Sequence, residues 1–316
     1  MEYRKLISFG KSSFVISIPK PWIRRNSLNK GDTIYVEEVP GKLILYPNKS
    51  HDENQDKEIT IDVNKKSIRQ IQREIVSAYI RNYKTITLKG DEIKDKAKDI
   101  QHITQNLIAL EVMEQTSNRI VAKDFLDMKE TEINPLIKKM DIIIKSMLSD
   151  CKLLFKNNLH ENIEHRDNDV NKLAFLLYRA IKYGLENPSF INKKQNLVSN
   201  DLIGIWWITY NLEAIGDETK RIARYVTKMN FSKEMKKDFL KIMLDLEQNM
   251  AEIMRAYYKN DSQLAHAVHE KKRENVLLCE EFYLNHHKSR WSGYLVNHMK
   301  SLSIGIHNIG RSVYQY

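Results

Sequence analysis

Apolar side chains recur at alternating three- and four-residue steps through the second half of the chain, the spacing that lines one face of a helix. Leu136, Met140, Ile143, Met147 and Leu154 predict a helix over residues 133–157, and Ile163, Val170, Ala174, Leu177 and Ile181 a second over 161–186. Ile205, Ile208, Leu212, Ile215, Ile222 and Val226 predict a third over 199–229. After Asn230 the pattern restarts, with helices over 232–258, 261–285 and 290–315. Residues 131–316 therefore read as a pair of three-helix bundles, repeats of about 133–230 and 231–316.

The earlier residues carry shorter runs. Glu58–Val63, Lys84–Lys89 and Arg119–Phe125 read as strands, and 65–82 and 92–115 as helices, the second through Ile93, Ala97, Ile100, Ile103, Leu107 and Leu110. This small α/β segment, residues 58–130, has no glycine-rich phosphate loop and no nucleophile motif. Its Glu111 and Glu114 fit either a solvated face or a ligand pair. Residues 51–57 are polar and read as a linker.

Residues 1–50 hold a β-rich run from Phe14 to Pro19, one or two helical turns from Lys20 to Asn26, a turn at Asn29–Asp32, and strands over Thr33–Val39 and Lys42–Tyr46. A stretch of roughly 45 residues buries too little apolar surface to stand alone. Homodimerisation through this module, with strands of two chains interleaved, is the expectation.

Composition sharpens this picture in three ways. The chain has 10 Gly and 6 Pro among 316 residues, which disfavours a turn-rich barrel or sandwich and leaves a mainly α protein. Its two cysteines, Cys151 and Cys279, are far apart with no CxxC, so a disulfide scaffold and a zinc finger are excluded. The longest apolar run is Leu202–Ile208, well short of the ~20 residues that span a bilayer, and Met1–Lys11 has no signal-peptide character. A soluble, cytoplasmic protein without membrane insertion is expected.

Charge carries the strongest functional hint. Against 41 Asp+Glu stand 51 Lys+Arg, a net charge of +10 that favours an anionic partner. Residues 1–30 hold seven basic residues and one acid, whereas 31–63 hold three basic and eight acidic residues. A dense basic head beside an acidic stretch is the footprint of a localised anion-binding surface.

Tyr3-Arg4-Lys5-Leu6, Phe9-Gly10-Lys11, the run Ser17 to Arg25, Leu28-Asn29-Lys30-Gly31-Asp32 and Gly41-Lys42-Leu43-Ile44-Leu45 resemble the AbrB/SpoVT looped-hinge DNA-binding domain. The resemblance covers residues 1–47 and implies a swapped-hairpin β dimer with basic residues facing double-stranded DNA. By motif position it assigns DNA contact to Arg4, Lys11, Arg24 and Arg25, and charge and proximity add Lys5 and Lys20. A dimerisation module that does not touch DNA stays open.

Chemistry in the helical half rests on misplaced acids. Asp167 sits in the apolar seam of the second helix, and Glu274 is expected between seam residues Ala267 and Leu278. A buried carboxylate needs a basic partner, a cation or a local opening of the bundle. Glu213 and Asp217 share a face of the third helix, and with Asp167 they make an all-oxygen set suited to a hard cation or iron. Ordinary ion pairing, such as Asp217 with Arg221 or Arg224, is the alternative.

Asn211-Leu212-Glu213-Ala214-Ile215-Gly216-Asp217 and Asp167-Asn168-Asp169-Val170-Asn171 resemble PhoU, a phosphate-uptake regulator of two three-helix repeats. Fused to an AbrB-like head, the whole is similar to archaeal-type PhoU-family transcriptional regulators, in which an α/β insertion like residues 58–130 joins the two ends. The resemblance implies metal binding, carried over to Asp167, Glu213 and Asp217, and to Glu270 and Glu274 in repeat two. The second repeat departs from the pattern. Leu302-Ser303-Ile304 is expected where the Ile-Gly-Asp motif belongs, and residues 282–316 contain no acid. His286, His287, Lys288, Arg290, His298, Lys300 and His307 fit a phosphate-binding patch or a solvated basic face.

The combined expectation is a DNA-binding transcriptional regulator of phosphate or related nutrient uptake, not an enzyme, whose body senses a signal or docks a phosphate-uptake protein. A PhoU-like adaptor that acts on a transporter or sensor kinase without binding DNA is the alternative. A carboxylate metalloenzyme would need Glu-x-x-His ligand pairs, which the helices lack.

Overall fold

The computed structural model describes residues 3–39, 41–47, 57–156 and 159–315, so the expected linker lies outside the described residues except for Lys57. The chain divides into two compact units, Met1–Gln55 and Asp56–Tyr316.

In the first unit β1 (Ile7–Phe9) and β2 (Ser13–Val15) form an antiparallel hairpin that turns at Gly10, where φ is 73° and a side chain would be strained. Helix α1 (Lys20–Arg25) follows, and β3 (Tyr35–Val39) pairs with β4 (Lys42–Tyr46) in a second hairpin. The strand expected over 14–19 is thus shorter and starts earlier, and β1 was not foreseen. Three residues are too few to show a period.

The second unit opens with the α/β segment: β5 (Glu58–Asp62), α2 (Ile68–Ile80), β6 (Thr85–Lys89), α3 (Ile93–Gln105), β7 (Leu110–Gln115) and β8 (Arg119–Asp124). The sheet order is β5-β6-β8-β7, parallel between β5 and β6 and antiparallel elsewhere. Helix α2 starts at a reciprocal cap, in which Ser67 Oγ accepts from the Gln70 amide and the Ser67 amide donates to Gln70 Oε1. The α2 and α3 faces carrying Ile71, Ile75, Ile93 and Ile100 close over Ile61, Ile86, Leu88 and Ile120 of the sheet.

One expectation is overturned here. The helix expected over 92–115 ends at Gln105, and 110–115 form strand β7, with Glu111 and Glu114 on a strand rather than a helical flank. The chain reverses at Ala109, whose φ of 62° is left-handed, and Leu110 then pairs with Asp124. Leu107 and Leu110 continue the helical spacing by coincidence: one closes the turn and the other starts the strand. Pairing with β8 overrides the helix-forming character of Leu-Glu-Val-Met-Glu.

The body is made of α4 (Ile133–Leu153), α5 (His160–Glu186), α6 (Pro188–Gln195), α7 (Ser199–Lys228), α8 (Lys233–Lys259), α9 (Ser262–His286) and α10 (Ser292–Gln315). Helices α4, α5 and α7 form one bundle and α8, α9 and α10 the second, with α7 against α10 and α4 against α8, so both share one core. The fold class is therefore mainly α, as expected. Short α6, which the periodicity did not reveal, starts at Pro188 and stops at left-handed Asn196. Gln195 then bonds the Thr131 carbonyl at 2.9 Å and the Ile133 amide at 3.0 Å, pinning the start of α4.

A buried polar joint links the α/β segment to the bundle. Arg179 of α5, 0% exposed, forks both guanidinium ends onto the Asp124 carboxylate at the end of β8. Its Nε donates to Asn82 Oδ1 at 2.7 Å, and the guanidinium lies 4.6 Å from the Tyr79 ring centroid. Burial would raise the Asp124 carboxyl, but bonds from Arg179 and from Lys84 at 2.8 Å outweigh it and hold the carboxyl below its ordinary range.

Candidate functional site

The six candidate DNA-contacting residues of the head are all exposed. Arg4 and Lys5 precede β1, Lys11 lies in the β1–β2 turn, Lys20 begins α1, and Arg24 and Arg25 form its last turn. Cations at that end favour the helix dipole, so placing arginines there stabilises α1 while presenting them to solvent. Among its described residues, none in the head is buried. Leu6, Phe9 and Phe14 are each 70% exposed, a level far above that of a folded core. Trp22 is half-buried beside Leu43, Ile44 and Leu45, a packing role rather than a base-stacking one.

The structure brings the first-repeat acids together. Asp167 on α5 is 1% exposed and faces Glu213 and Asp217 on α7. Gly216 makes this approach close: a Cβ there would lie 3.3 Å from the Val170 side chain and 3.7 Å from Asp167 Oδ1. Between the acids stands Lys220, one residue that the sequence reading did not single out. Its ammonium donates to Asp167 Oδ2 and, at 2.8 Å, to Asp217 Oδ1. Asp217 Oδ2 accepts from Arg221 at 2.9 Å, so both alternatives for Asp217 reduce to lysine and Arg221 rather than Arg224.

Electrostatics at the cluster is unbalanced. Burial raises the Asp167 carboxyl, with Lys220 opposing and Asp217 adding to the rise. Glu213 is raised by burial and then by the charges of Asp217 and Asp167. Burial would lower Lys220, but its bonds to Asp167 and Asp217 win and raise it. Asp167 Oδ1 is buried with no hydrogen-bond partner among the described residues. Among those residues no three His, Cys, Asp or Glu side chains are placed to hold a metal ion. As arranged, the Lys220 ammonium occupies the position between Asp167 and Asp217.

From this cluster an ion-pair ladder runs across the repeats. Arg221 also donates to Glu218, whose other oxygen meets His298 Nδ1 of α10 at 2.7 Å. The chain Asp167–Lys220–Asp217–Arg221–Glu218–His298 thereby ties α5, α7 and α10 together.

The second repeat does not reproduce the acids. Glu270 and Glu274 are exposed, and the buried face of α9 runs Ala265, Val268, Asn275, Cys279 and Phe282. The expected seam through Ala267 and Leu278 was one position out of phase, because α9 has apolar residues on several faces, including half-exposed Leu277. The motif position is corrected as well. Ile309-Gly310 repeats Ile215-Gly216, and each glycine lies against the second helix of its own repeat, Gly216 against Val170 and Asp167 and Gly310 against Ala265. The counterpart of Glu213-Ala214-Ile215-Gly216-Asp217 is therefore His307-Asn308-Ile309-Gly310-Arg311, not Leu302-Ser303-Ile304. The basic residues of 286–307 also separate: His286 pairs with Asp238, His298 with Glu218 and Lys300 with Glu280, while His307 is buried.

Comparison with known families gives two matches. Residues 7–53 match the family model described as Antidote-toxin recognition MazE, bacterial antitoxin, and residues 137–226 match the PhoU domain. The first spans all four strands of the head, and the second runs from α4 to α7, the bundle that holds the acid cluster. No curated protein and no solved structure matches the chain. The architecture is a MazE/AbrB-like antitoxin-type domain fused ahead of a PhoU domain, as the residues in both motifs led one to expect. Among the described residues no helix is long and apolar enough to cross a membrane.

Proposed function

We propose that the protein is a dimeric, DNA-binding transcriptional regulator whose PhoU-domain body couples DNA occupancy to phosphate or related nutrient status. The pairing of a MazE/AbrB-like DNA-binding-type domain with a PhoU domain is consistent with a regulator of phosphate homeostasis. The observation that carries the DNA reading is the exposed arginine pair, Arg24 and Arg25, on the last turn of α1 in that head. Arginine forks suit phosphate oxygens and guanine edges. The bare apolar strands of the head support a second copy as their cover. A mobility-shift assay tests the reading: reversing both charges (R24E/R25E) should abolish the shift, while an unchanged shift would favour the adaptor that works by protein contact alone.

The acid cluster supports a cation-responsive element within the same proposal. Its bundle matches the PhoU domain, and Asp167 Oδ1 and Glu213 have no cationic partner of their own among the described residues. Divalent or iron binding by Asp167, Glu213 and Asp217 would need Lys220 to leave its place between them. Purified Lys220→Met protein should then retain more metal than wild type, and Asp217→Ala less. Equal metal content in all three proteins would rule the element out. Exposed Glu270 and Glu274 face no acid on α10, so repeat two is not proposed as a metal site, and E270Q/E274Q should leave metal content unchanged.

A further inference from the structure

The repeat correspondence exposes a change of sign. Position by position, Glu213 becomes His307 and Asp217 becomes Arg311 in α10. In α9, Asp167-Asn168-Asp169-Val170-Asn171 corresponds to Ala265-His266-Ala267-Val268-His269. Two glycine contacts fix that register: Gly216 lies against Asp167 and Val170, and a Cβ at Gly310 would lie 3.6 Å from the Ala265 carbonyl. Three acids of repeat one are thus replaced by alanine, histidine and arginine, and Asn171 by a second histidine.

The resulting cluster is built rather than incidental. His307 is 1% exposed, and neither ring nitrogen has a hydrogen-bond partner among the described residues. The His269 ring stands perpendicular to it at 6.2 Å, and its buried Nδ1 is also without a partner. Asn275 Nδ2 and Ser303 Oγ, further along the same α9–α10 seam, share that condition. Leaving such groups unmatched is costly, so a ligand that bonds them recovers part of that cost.

Every charge that faces the His307 ring is basic. Its proton affinity is pushed down to about 4 by burial and then by His269, Lys272 and Lys271, which outweigh the opposing pull of the Val268 backbone carbonyl. Lys271 is spoken for by Glu252 of α8 at 2.9 Å, whereas Lys272 and Arg311 have no acidic partner among the described residues. Helix α10 has no Asp or Glu between Ser292 and Gln315. A metal cation would meet two imidazoles inside a positive field, which opposes it. A small anion meets the donor nitrogens of two imidazoles and the positive charges of Lys272 and Arg311, none of which has an acidic partner among the described residues.

We propose that the α9–α10 seam around His269, His307, Lys272 and Arg311 is an oxyanion site, taking inorganic phosphate or sulfate, and that the two repeats carry ligand sites of opposite charge. Half-buried His269 stands between the inner ring and the surface, and exposed Arg311 lies one turn beyond His307 on the same face of α10.

Imidazole nitrogen chemical shifts of the full chain, labelled at histidine and titrated with phosphate, sulfate or zinc, test this directly. Phosphate should shift the His307 and His269 nitrogens saturably, with His307 moving toward its protonated form. Exposed R311E, which does not perturb the core, should weaken the apparent affinity at least tenfold, as should K272E. Sulfate binding as tightly as phosphate supports a general oxyanion site, and phosphate alone supports one that also accepts a hydrogen bond from the protonated ligand. Unmoved His269 and His307 signals, an affinity untouched by both charge reversals, or zinc alone titrating these nitrogens would each overturn it.

Discussion

At the residue scale, the informative side chains are those whose charge is not balanced nearby. Burial and the charges of Asp217 and Asp167 raise the Glu213 carboxyl against the weaker pull of Lys220 and Arg221, so Glu213→Gln removes net repulsion while keeping its shape. That variant should melt at a higher temperature than wild type at neutral pH, a stability gain at the expense of the proposed site; a lower melting temperature would contradict the electrostatic account. His307 makes the complementary prediction in pH. Its folded value of about 4 lies below the ordinary 6.5. Between those values the unfolded chain takes up a proton that the folded chain refuses. The contribution is therefore present above about pH 6.5 and is lost as pH falls to about 4, a loss of roughly 3 kcal/mol. Urea unfolding at pH 7 and pH 4.5 should show it in wild type, and His307→Leu should flatten the difference. An equal slope in both proteins would mean that the ring is not held neutral by its surroundings.

Elements show where sequence periodicity suffices and where it fails. Six long helices were legible, five of them because each buries one continuous apolar stripe, and Asp167 was legible as an acid inside such a stripe. Helix α9 was misphased because its apolar residues are spread around it. Strand β7 was mistaken for helix because its partner β8 follows in sequence and pairing is invisible to a local period. The Arg179–Asp124 joint was not foreseen either: its partners lie far apart in the chain, and each alone looks like an ordinary surface charge. Lys220 stayed hidden for the same reason, since only the close approach of α5 and α7 turns it into the acids' counter-ion. The joint can be tested as a pair. Arg179→Met strands a buried carboxylate and should cost about 3–5 kcal/mol in urea unfolding. The double variant R179M/D124L should recover much of that loss; no recovery would mean that Arg179 acts mainly through the Tyr79 ring and Asn82.

For the whole molecule, the two units divide the labour by charge. The head concentrates basic residues on a surface with no buried core of its own, and the body arranges its charges in pairs, ladders and two clusters of opposite sign. Motif residues made the head legible as a DNA-binding type, because Pro19, the Arg24–Arg25 pair and the Gly31 turn fall at fixed places along a short chain. The proposed second copy is not legible from one chain, and the exposed Leu6, Phe9 and Phe14 are the side chains it would cover. The central claim is that these basic residues bind DNA phosphates. Fluorescence anisotropy of the full chain with labelled duplex genomic fragments, repeated across a salt series, measures it. Binding should weaken steeply with salt, and the R24E/R25E chain should lose up to about four from the log–log slope as a dimer. A slope and affinity unchanged by that reversal would contradict the account.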